Sequence, residues 1–403
     1  MRGRALVRPH REEAGCVDWI VAPDRDGRAL CDVVPSMLAA LGVSGFSDTV
    51  GLPPCRTGAV LLVDGLGEQL LREHPADAPF LASLPSSAPL TAGFPTTTVT
   101  SLTSLGTGRC AGEHGMVGTS FAEPSGSLLH PLRWSTHGTR ADAAGDRRSL
   151  LEEWPPEQVQ PVPTVLETAA AAGVDVRTAL PAQFQGTGFT RASMRGGAFR
   201  EVREFGDLAG ELIDAARADR TTFCYGYHGG LDMLGHIYGP GSARWRLQLA
   251  QIDRLVQLIV ENLPPGAVLA VVADHGMVSP DQSEVFDADT DRVLQDGVQL
   301  LGGEARVRHV YTEPGARDAV MSAWRETIGA NGIVLTGEQA IDEGWFGPVV
   351  TEAARQRIGD VLAIMRRGCV VRTLAEPGES AMRGHHGSLT AAEQLIPMLV
   401  AGG

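Results

Sequence analysis

The sequence predicts an α/β protein, with a mostly parallel central sheet flanked by helices and a smaller α+β excursion set late in the chain. Three observations carry this. The runs "GAVLLVDGLG", "TTFCYGYHGG" and "GAVLAVVADHGMV" are short, continuously apolar and closed by glycine or aspartate, the pattern of strands buried on both faces. Helical periodicity fills the stretches between them, most clearly in "ARWRLQLAQIDRLVQLIVENLP", whose apolar residues recur on one face. From 281 to about 375 the pattern changes, with a strand at "VRHVYTE" and helices at "ARDAVMSAWRETIG" and "TEAARQRIG".

In chain order, residues 1–50 read as an N-terminal arm packing on the core, with a strand at "DWIVAP" and a helix at "CDVVPSMLAALG". Residues 51–280 together with 376–403 form the expected catalytic core. The first buried strand runs into a helix at "GEQLLREH". In "LTAGFPTTTVTSLTSLGTG" an extended piece and Pro95 give way to a threonine- and serine-rich helical run. Residues 120–160 are polar and proline-bearing, which suits a surface excursion. "PTVLETAAAAGVDVRTAL" alternates helix and strand. Residues 281–375 are expected to be an excursion or a lid, and the chain closes with an acidic helix start and a final apolar strand. No repeat at a period of 20–50 residues is present.

A chain of 403 residues with 43% hydrophobic content can bury a large core and is not disordered. The formal net charge is −14 without a basic run, so duplex nucleic acid is not an expected partner. An acidic chain that handles phosphates needs cations at the site, either metal ions or local arginines. The six cysteines at 16, 31, 55, 110, 224 and 369 form no CxxC pair and read as reduced thiols, not a disulfide frame or a cysteine–zinc site. The N-terminus has no apolar h-region and no stretch approaches the ~20 apolar residues of a membrane span. The expectation is a soluble, cytoplasmic protein.

The three buried runs end in metal-competent side chains: Asp64, the region of Asp232, and Asp274–His275. Ligand sites in α/β sheets form beyond the carboxyl ends of parallel strands, where residues distant in sequence converge. Asp232 and His236 stand one helical turn apart and point the same way. Asp232 alone could be a helix cap, Asp64–Gly65 a turn and "HHG" a surface loop. Together, Asp64, Asp232, His236, Asp274, His275 and one of His385 and His386 supply three carboxylates and three imidazoles. That inventory suits two zinc ions with three protein ligands each and open positions for substrate. Thr98 in "GFPTTTVTS" is the candidate nucleophile, because metal coordination and a helix N-terminus both lower a hydroxyl's pKa. Thr96, Thr97 and Thr100 could instead cap that helix.

The segments "VDGLG", "FPTTTVTSLTSLGTGRCAGEHG", "YHGGLDMLGHIYGP", "VVADHGM" and "GHHG" resemble, in content and order, the alkaline phosphatase superfamily and specifically its nucleotide pyrophosphatase/phosphodiesterase branch. The resembling zone runs from about 58 to 280 and resumes at 384. The resemblance implies an alkaline phosphatase-like fold in which Asp64, Asp274, His275 and Thr98 surround one zinc and Asp232, His236 and a C-terminal histidine hold the other. The family's Gly-x-His-Gly pattern selects His386. It further implies in-line attack by Thr98 on the phosphorus of a small phosphodiester or nucleotide, a phosphothreonine-type intermediate, and release by water. Two positions depart from the branch: Thr119 stands where an asparagine usually contacts a phosphoryl oxygen, and Val99 where an aromatic often stacks on a base. Both are carried as candidate substrate contacts.

Other readings keep the metals and change the chemistry: a phosphomonoesterase, a phosphonate hydrolase, or a relative of cofactor-independent phosphoglycerate mutase, which usually uses serine and manganese. A sulfatase ranks below these, because Cys55 is followed by Arg56–Thr57 and Cys110 by Ala111–Gly112, not by a formylglycine pattern. A non-catalytic binding descendant would have lost ligands, and every expected ligand is present. Arg109, Arg133 and Arg195 are possible phosphate contacts to which no role is assigned.

Overall fold

The computed structural model describes residues 18–86, 88–137 and 147–403. Five parallel strands form the body of a central sheet: β1 (Thr57–Val63), β2 (Asp175–Pro181), β3 (Ala198–Val202), β4 (Thr222–His228) and β5 (Ala267–Val272). The chain then builds a second, antiparallel sheet from β6 (Val298–Glu304), β7 (Val307–Thr312), β8 (Gly332–Thr336) and β9 (Val361–Met365), in the order β6-β7-β9-β8. It returns to add β10 (Met398–Gly402) antiparallel to β5, so the central order is β10-β5-β1-β4-β2-β3. The three runs that end in candidate ligands are therefore adjacent strands. Their register places Val63 opposite His228 and Leu62 opposite Val272, so their carboxyl ends open onto one crevice.

Every residue of β1 and β5 is buried, as expected where helices cover both faces of a parallel sheet. The covering helices include α1 (Val33–Ala40), α2 (Thr98–Thr107), α3 (Phe205–Ala216), α4 (Gly230–Tyr238) and α5 (Ala243–Glu261). Ser242 caps α5 by accepting from the Trp245 amide, and Trp245, Leu249, Ile252, Val256 and Ile259 form its buried stripe. No helix among the described residues is long and apolar enough to cross a membrane.

The 281–375 excursion shares its sheet between two cores. Along β9, Leu362 and Ile364 pack into the main core, whereas Val361, Ala363 and Met365 pack with Trp324 of α6 (Arg317–Ile328) in a second one. This is the period-two alternation of a strand, here apolar on both faces. Arg306, between β6 and β7, is 1% exposed and bonds Glu393 through Nε (3.0 Å) and Nη2 (2.7 Å). Glu393 in turn accepts from the Ser388 amide and the Thr390 hydroxyl. A buried charge left without its partner costs about 3–5 kcal/mol. Arg306→Met is accordingly expected to lower unfolding stability by that amount, read as a shifted urea midpoint.

Two expectations are corrected. "DWIVAP" forms no strand: residues 18–23 are a turn and an extended segment in which the Val21 amide bonds the Leu389 carbonyl, and Pro23 has no amide to continue a ladder. Residues 1–17 of the expected arm lie outside the described residues. The 120–160 stretch is not a mere surface excursion. A small sheet (Phe121–Ala122, Leu128–His130, Ser135–Thr136) buries Phe121, Leu128, Leu129 and Trp134. Its polar residues disguised a hairpin whose apolar side faces inward.

Candidate functional site

Asp64 follows β1 directly, Asp274 and His275 follow β5, and Asp232 and His236 lie on α4, which starts just after β4. His386 arrives on the loop before β10. The Asp64–Gly65 turn packs tightly against α4. Gly65 has φ +75°, and a Cβ there would lie 3.0 Å from the Asp232 Cα. Only glycine meets both demands at little cost.

Around His275 Nε2 stand three oxygens: Thr98 Oγ1 at 3.4 Å, Asp274 Oδ2 at 3.4 Å and Asp64 Oδ1 at 3.5 Å. Ligands held at zinc-like bond lengths on a tetrahedron are about 3.3–3.4 Å apart, so each of these oxygens stands from His275 Nε2 at about the distance between two ligands of one ion. A second group joins Asp232, His236 and His386. His236 Nε2 lies 3.3 Å from Asp232 Oδ2, and His386 Nε2 lies 3.9 Å from Asp232 Oδ1. Ligand atoms of Asp64, Asp232 and His275 also lie within 4.8 Å of one another, so Asp232 stands between the two groups. The His275 and His386 rings stack at 3.6 Å.

The residues fit cations on two further observations. Asp64 Oδ1, Asp232 Oδ1 and Asp274 Oδ2 are buried with no hydrogen-bond partner among the described residues, and each takes part in the contacts above. Buried carboxylate oxygens without partners are costly, and a cation removes that cost. All three imidazoles, moreover, direct Nδ1 at a backbone carbonyl: His236 at Gly384 (2.8 Å), His275 at Gly276 (3.0 Å) and His386 at Thr96 (2.8 Å). Donation from Nδ1 leaves each Nε2 lone pair facing inward, the arrangement in which a histidine is oriented for a metal.

The electrostatics agree. Burial, then the charges of Asp274 and Asp232, pushes the Asp64 carboxyl well up, and burial likewise raises Asp274. Asp232 goes the other way: against its burial, the neighbouring His236 holds it low. His236, opposed by burial and drawn up by Asp232, reaches about 9. Without a cation, this cluster must hold protons to offset its own charge.

Among the threonines, Thr98 is the one whose hydroxyl joins the cluster. Thr96 Oγ1 donates to the Ser388 carbonyl, Thr100 Oγ1 donates to the Met116 carbonyl, and Thr97, at the N-cap position, pairs with Thr119 Oγ1 at 2.8 Å. Thr119 is thus brought to the edge of the site. Val99 is not: it is 0% exposed, because the second helical position turns into the core, and it offers no face to a substrate. His385 pairs through its backbone with Val278, and its ring is 6.5 Å from that of His236. Arg109 pairs with Glu113 and Arg195 with Glu167, while Arg133 makes no contact with the candidate ligands among those described.

Two residues escaped sequence reasoning. Tyr227, near the end of β4, donates its hydroxyl to Asp64 Oδ2, fixing which oxygen faces His275. Glu304, at the end of β6, places Oε2 3.5 Å from His386 Nδ1, beside Thr97 and Thr119, and burial pushes it well up. It comes from the excursion, where no local pattern marks it. Partners that orient a metal ligand typically contribute 10–100-fold to affinity or activity. If the cluster holds divalent ions, Tyr227→Phe is expected to weaken the uptake of an added ion such as zinc by about 10-fold, read by competition with a chromogenic chelator.

A family model described as type I phosphodiesterase / nucleotide pyrophosphatase matches residues 59–389. Phosphopentomutase of Anaeromyxobacter dehalogenans is 28% identical over 176 residues, which is 42% of each chain, so the match spans less than half of that relative. Murine ectonucleotide pyrophosphatase / phosphodiesterase 5 is similar in structure, with a TM-score of 0.65, 18% identity, and coverage of 86% of this chain and 88% of that one. A second structure of it is an inactive threonine-to-alanine variant in complex with AMP. The human counterpart has a TM-score of 0.63 and 17% identity over the same shares. At these identities the structural likeness is one of fold.

Proposed function

Because this chain belongs to the type I phosphodiesterase / nucleotide pyrophosphatase family, we propose that it hydrolyses a small phosphodiester or nucleotide with Thr98 as nucleophile and two divalent metal ions, zinc being expected, as cofactors. The observation that carries this reading is the Thr98 hydroxyl at 3.4 Å from His275 Nε2 beside the partnerless oxygens of Asp64 and Asp274. Asp64, Asp274 and His275 would hold one ion, and Asp232, His236 and His386 the other. When bound, such ions supply Lewis acidity, lowering the hydroxyl's pKa and neutralising charge on the leaving oxygen.

The chain's own groups do the rest. Thr98 opens α2, a helix of 10 residues, so the helix dipole adds positive potential where its alkoxide would form. The Thr98 oxygen attacks phosphorus in line and the leaving group departs from the opposite side. Water then displaces the threonine oxygen and returns the enzyme. Thr119 and Thr97 present hydroxyls at the edge of the site, and a hydroxyl can donate to a phosphoryl oxygen where the family's asparagine would. The murine structural neighbour supports this reading: its inactive form carries a threonine-to-alanine change and is seen with AMP.

A phosphomonoesterase, or a phosphonate hydrolase of the same superfamily, is the second reading. It is favoured by the absence of an aromatic face at buried Val99 and by the partial match to a phosphopentomutase. Rates of zinc-loaded protein on a chromogenic phosphodiester and its matching monoester decide between them. The expected outcome is at least about 10-fold higher kcat/KM on the diester, about 1.4 kcal/mol of transition-state preference. A preference for the monoester would transfer the protein to the second reading.

A further inference from the structure

Glu304 is a carboxyl at the edge of the site that neither group of candidate metal ligands includes, and it is only 9% exposed. Contacts from three segments fix where it stands. The Gly303 amide donates to the Ser120 carbonyl at 2.8 Å, and the Ser120 hydroxyl donates to the Gly303 carbonyl at 3.1 Å, so the end of β6 is tied beside Thr119. The Glu304 side chain lies against Gly387, where a Cβ would come within 2.9 Å of Glu304 Cγ and 3.0 Å of its Cδ. Gly387 in turn exchanges two hydrogen bonds with Thr96: its amide donates to Thr96 Oγ1 at 3.0 Å, and its carbonyl accepts from the Thr96 amide at 3.1 Å. The carboxyl is therefore wedged between the His386–Gly387 loop and the Thr96–Thr97 turn.

Its two oxygens differ. Oε2 stands 3.5 Å from His386 Nδ1, whose own bond goes to the Thr96 carbonyl at 2.8 Å. Oε1 is buried with no hydrogen-bond partner among the described residues. The polar groups nearby are engaged elsewhere. Thr97 and Thr119 pair with each other at 2.8 Å, and Arg308, opposite Gly303 across the hairpin, bonds the Val370 carbonyl and Glu379. A buried carboxyl oxygen left so is costly. A hydroxyl brought by a ligand removes that cost in either protonation state of the glutamate, because a hydroxyl both donates and accepts. The leaving group departs opposite Thr98, so a carboxyl beside Thr97 faces the group that stays on phosphorus.

We propose that Glu304 Oε1 binds a hydroxyl of the group retained on phosphorus, so that the substrate is a phosphate ester of a hydroxyl-bearing alcohol: a nucleoside, a sugar or a short polyol. This rests on the phosphoryl site assigned to Thr98, and it gives the 281–375 excursion, through one residue, a part in choosing the substrate.

The test compares rates of the metal-loaded full chain on the p-nitrophenyl phosphodiesters of uridine, linked at its 5′ oxygen, and of 2′,3′-dideoxyuridine. The two share leaving group and base and differ only in hydroxyls. The expected kcat/KM ratio is at least about 10 in favour of uridine, since a site built to bond a hydroxyl rejects the analogue lacking it. The glycerol and propanol diesters, corrected for the enzyme-free reaction, read the same ratio for a short polyol. A high ratio on the first pair alone assigns a nucleoside or sugar, and on the second alone a polyol. In Glu304→Leu the ratio should fall to about one, whatever happens to the common rate, while Glu304→Gln, whose amide oxygen still accepts, should keep part of it. Calorimetric binding of uridine and dideoxyuridine 5′-monophosphates should show the same order. A chain that bound with this preference yet hydrolysed no diester would lose the phosphodiesterase reading and keep this one. Ratios near one on both pairs in the wild type, or a Glu304→Leu variant that slows both members of a pair equally, would overturn the proposal.

Discussion

Replacing Thr98 with alanine is expected to lower kcat on a phosphodiester by at least about 10⁴-fold, the scale seen when a covalent nucleophile is removed. In free energy this is about 5 kcal/mol of lost transition-state stabilisation. The reason is local. Thr98 is half-buried, with its hydroxyl turned to His275, while its neighbours' hydroxyls are occupied by Ser388, Thr119 and Met116. None of them can take its place without breaking a contact. Among the described contacts the Thr98 hydroxyl bonds only His275, so the variant should fold, and take up added divalent metal, as the parent does. Equal zinc content with lost turnover separates a catalytic effect from an unfolded protein. A variant that retained more than a tenth of the parental rate would remove Thr98 from the mechanism.

Stripping the metals is expected to abolish turnover and to lower the melting temperature by roughly 5 °C, the shift that follows when a ligand present at about 1,000 times its Kd is lost from a chain of this size. The buried carboxyls of Asp64 and Asp274, both raised by burial, then face one another without a counter-ion. The pH dependence has a defined sign. His236 in the cation-free site titrates at about 9, so it is protonated at neutral pH and must lose that proton when an ion binds. Apparent zinc affinity should therefore rise with pH up to about 9 and weaken as pH falls, measured by chelator competition. Affinity that is flat between pH 6 and 9 would mean that His236 is not a ligand.

Much of the site was legible because candidate ligands sit at strand ends. Buried parallel strands are marked by unbroken apolar runs, and their carboxyl ends are where side chains must converge, so Asp64, Asp274 and His275 followed from β1 and β5. Asp232 and His236 followed from helical spacing. What stayed hidden depends on contacts between distant segments. Nothing local distinguishes Glu304 from a surface glutamate, and only the docking of β6 against the Thr119 loop, through Gly303 and Ser120, brings it to His386. Tyr227 looks like one more apolar strand residue until its hydroxyl meets Asp64. Val99 shows the converse error: adjacency to a nucleophile in sequence does not give adjacency to substrate, because successive helical residues point about 100° apart. The misread 120–160 stretch buries Trp134 through residues whose polarity suggested a solvated loop.

The central claim is a covalent step through Thr98, and the stereochemical course at phosphorus tests it most directly. A chiral phosphorothioate diester would be hydrolysed in ¹⁸O-labelled water and the configuration of the product determined. Two successive in-line displacements, by threonine and then by water, each invert phosphorus, so the account predicts net retention. Net inversion would mean that water attacks the substrate directly, and Thr98 would then be no nucleophile.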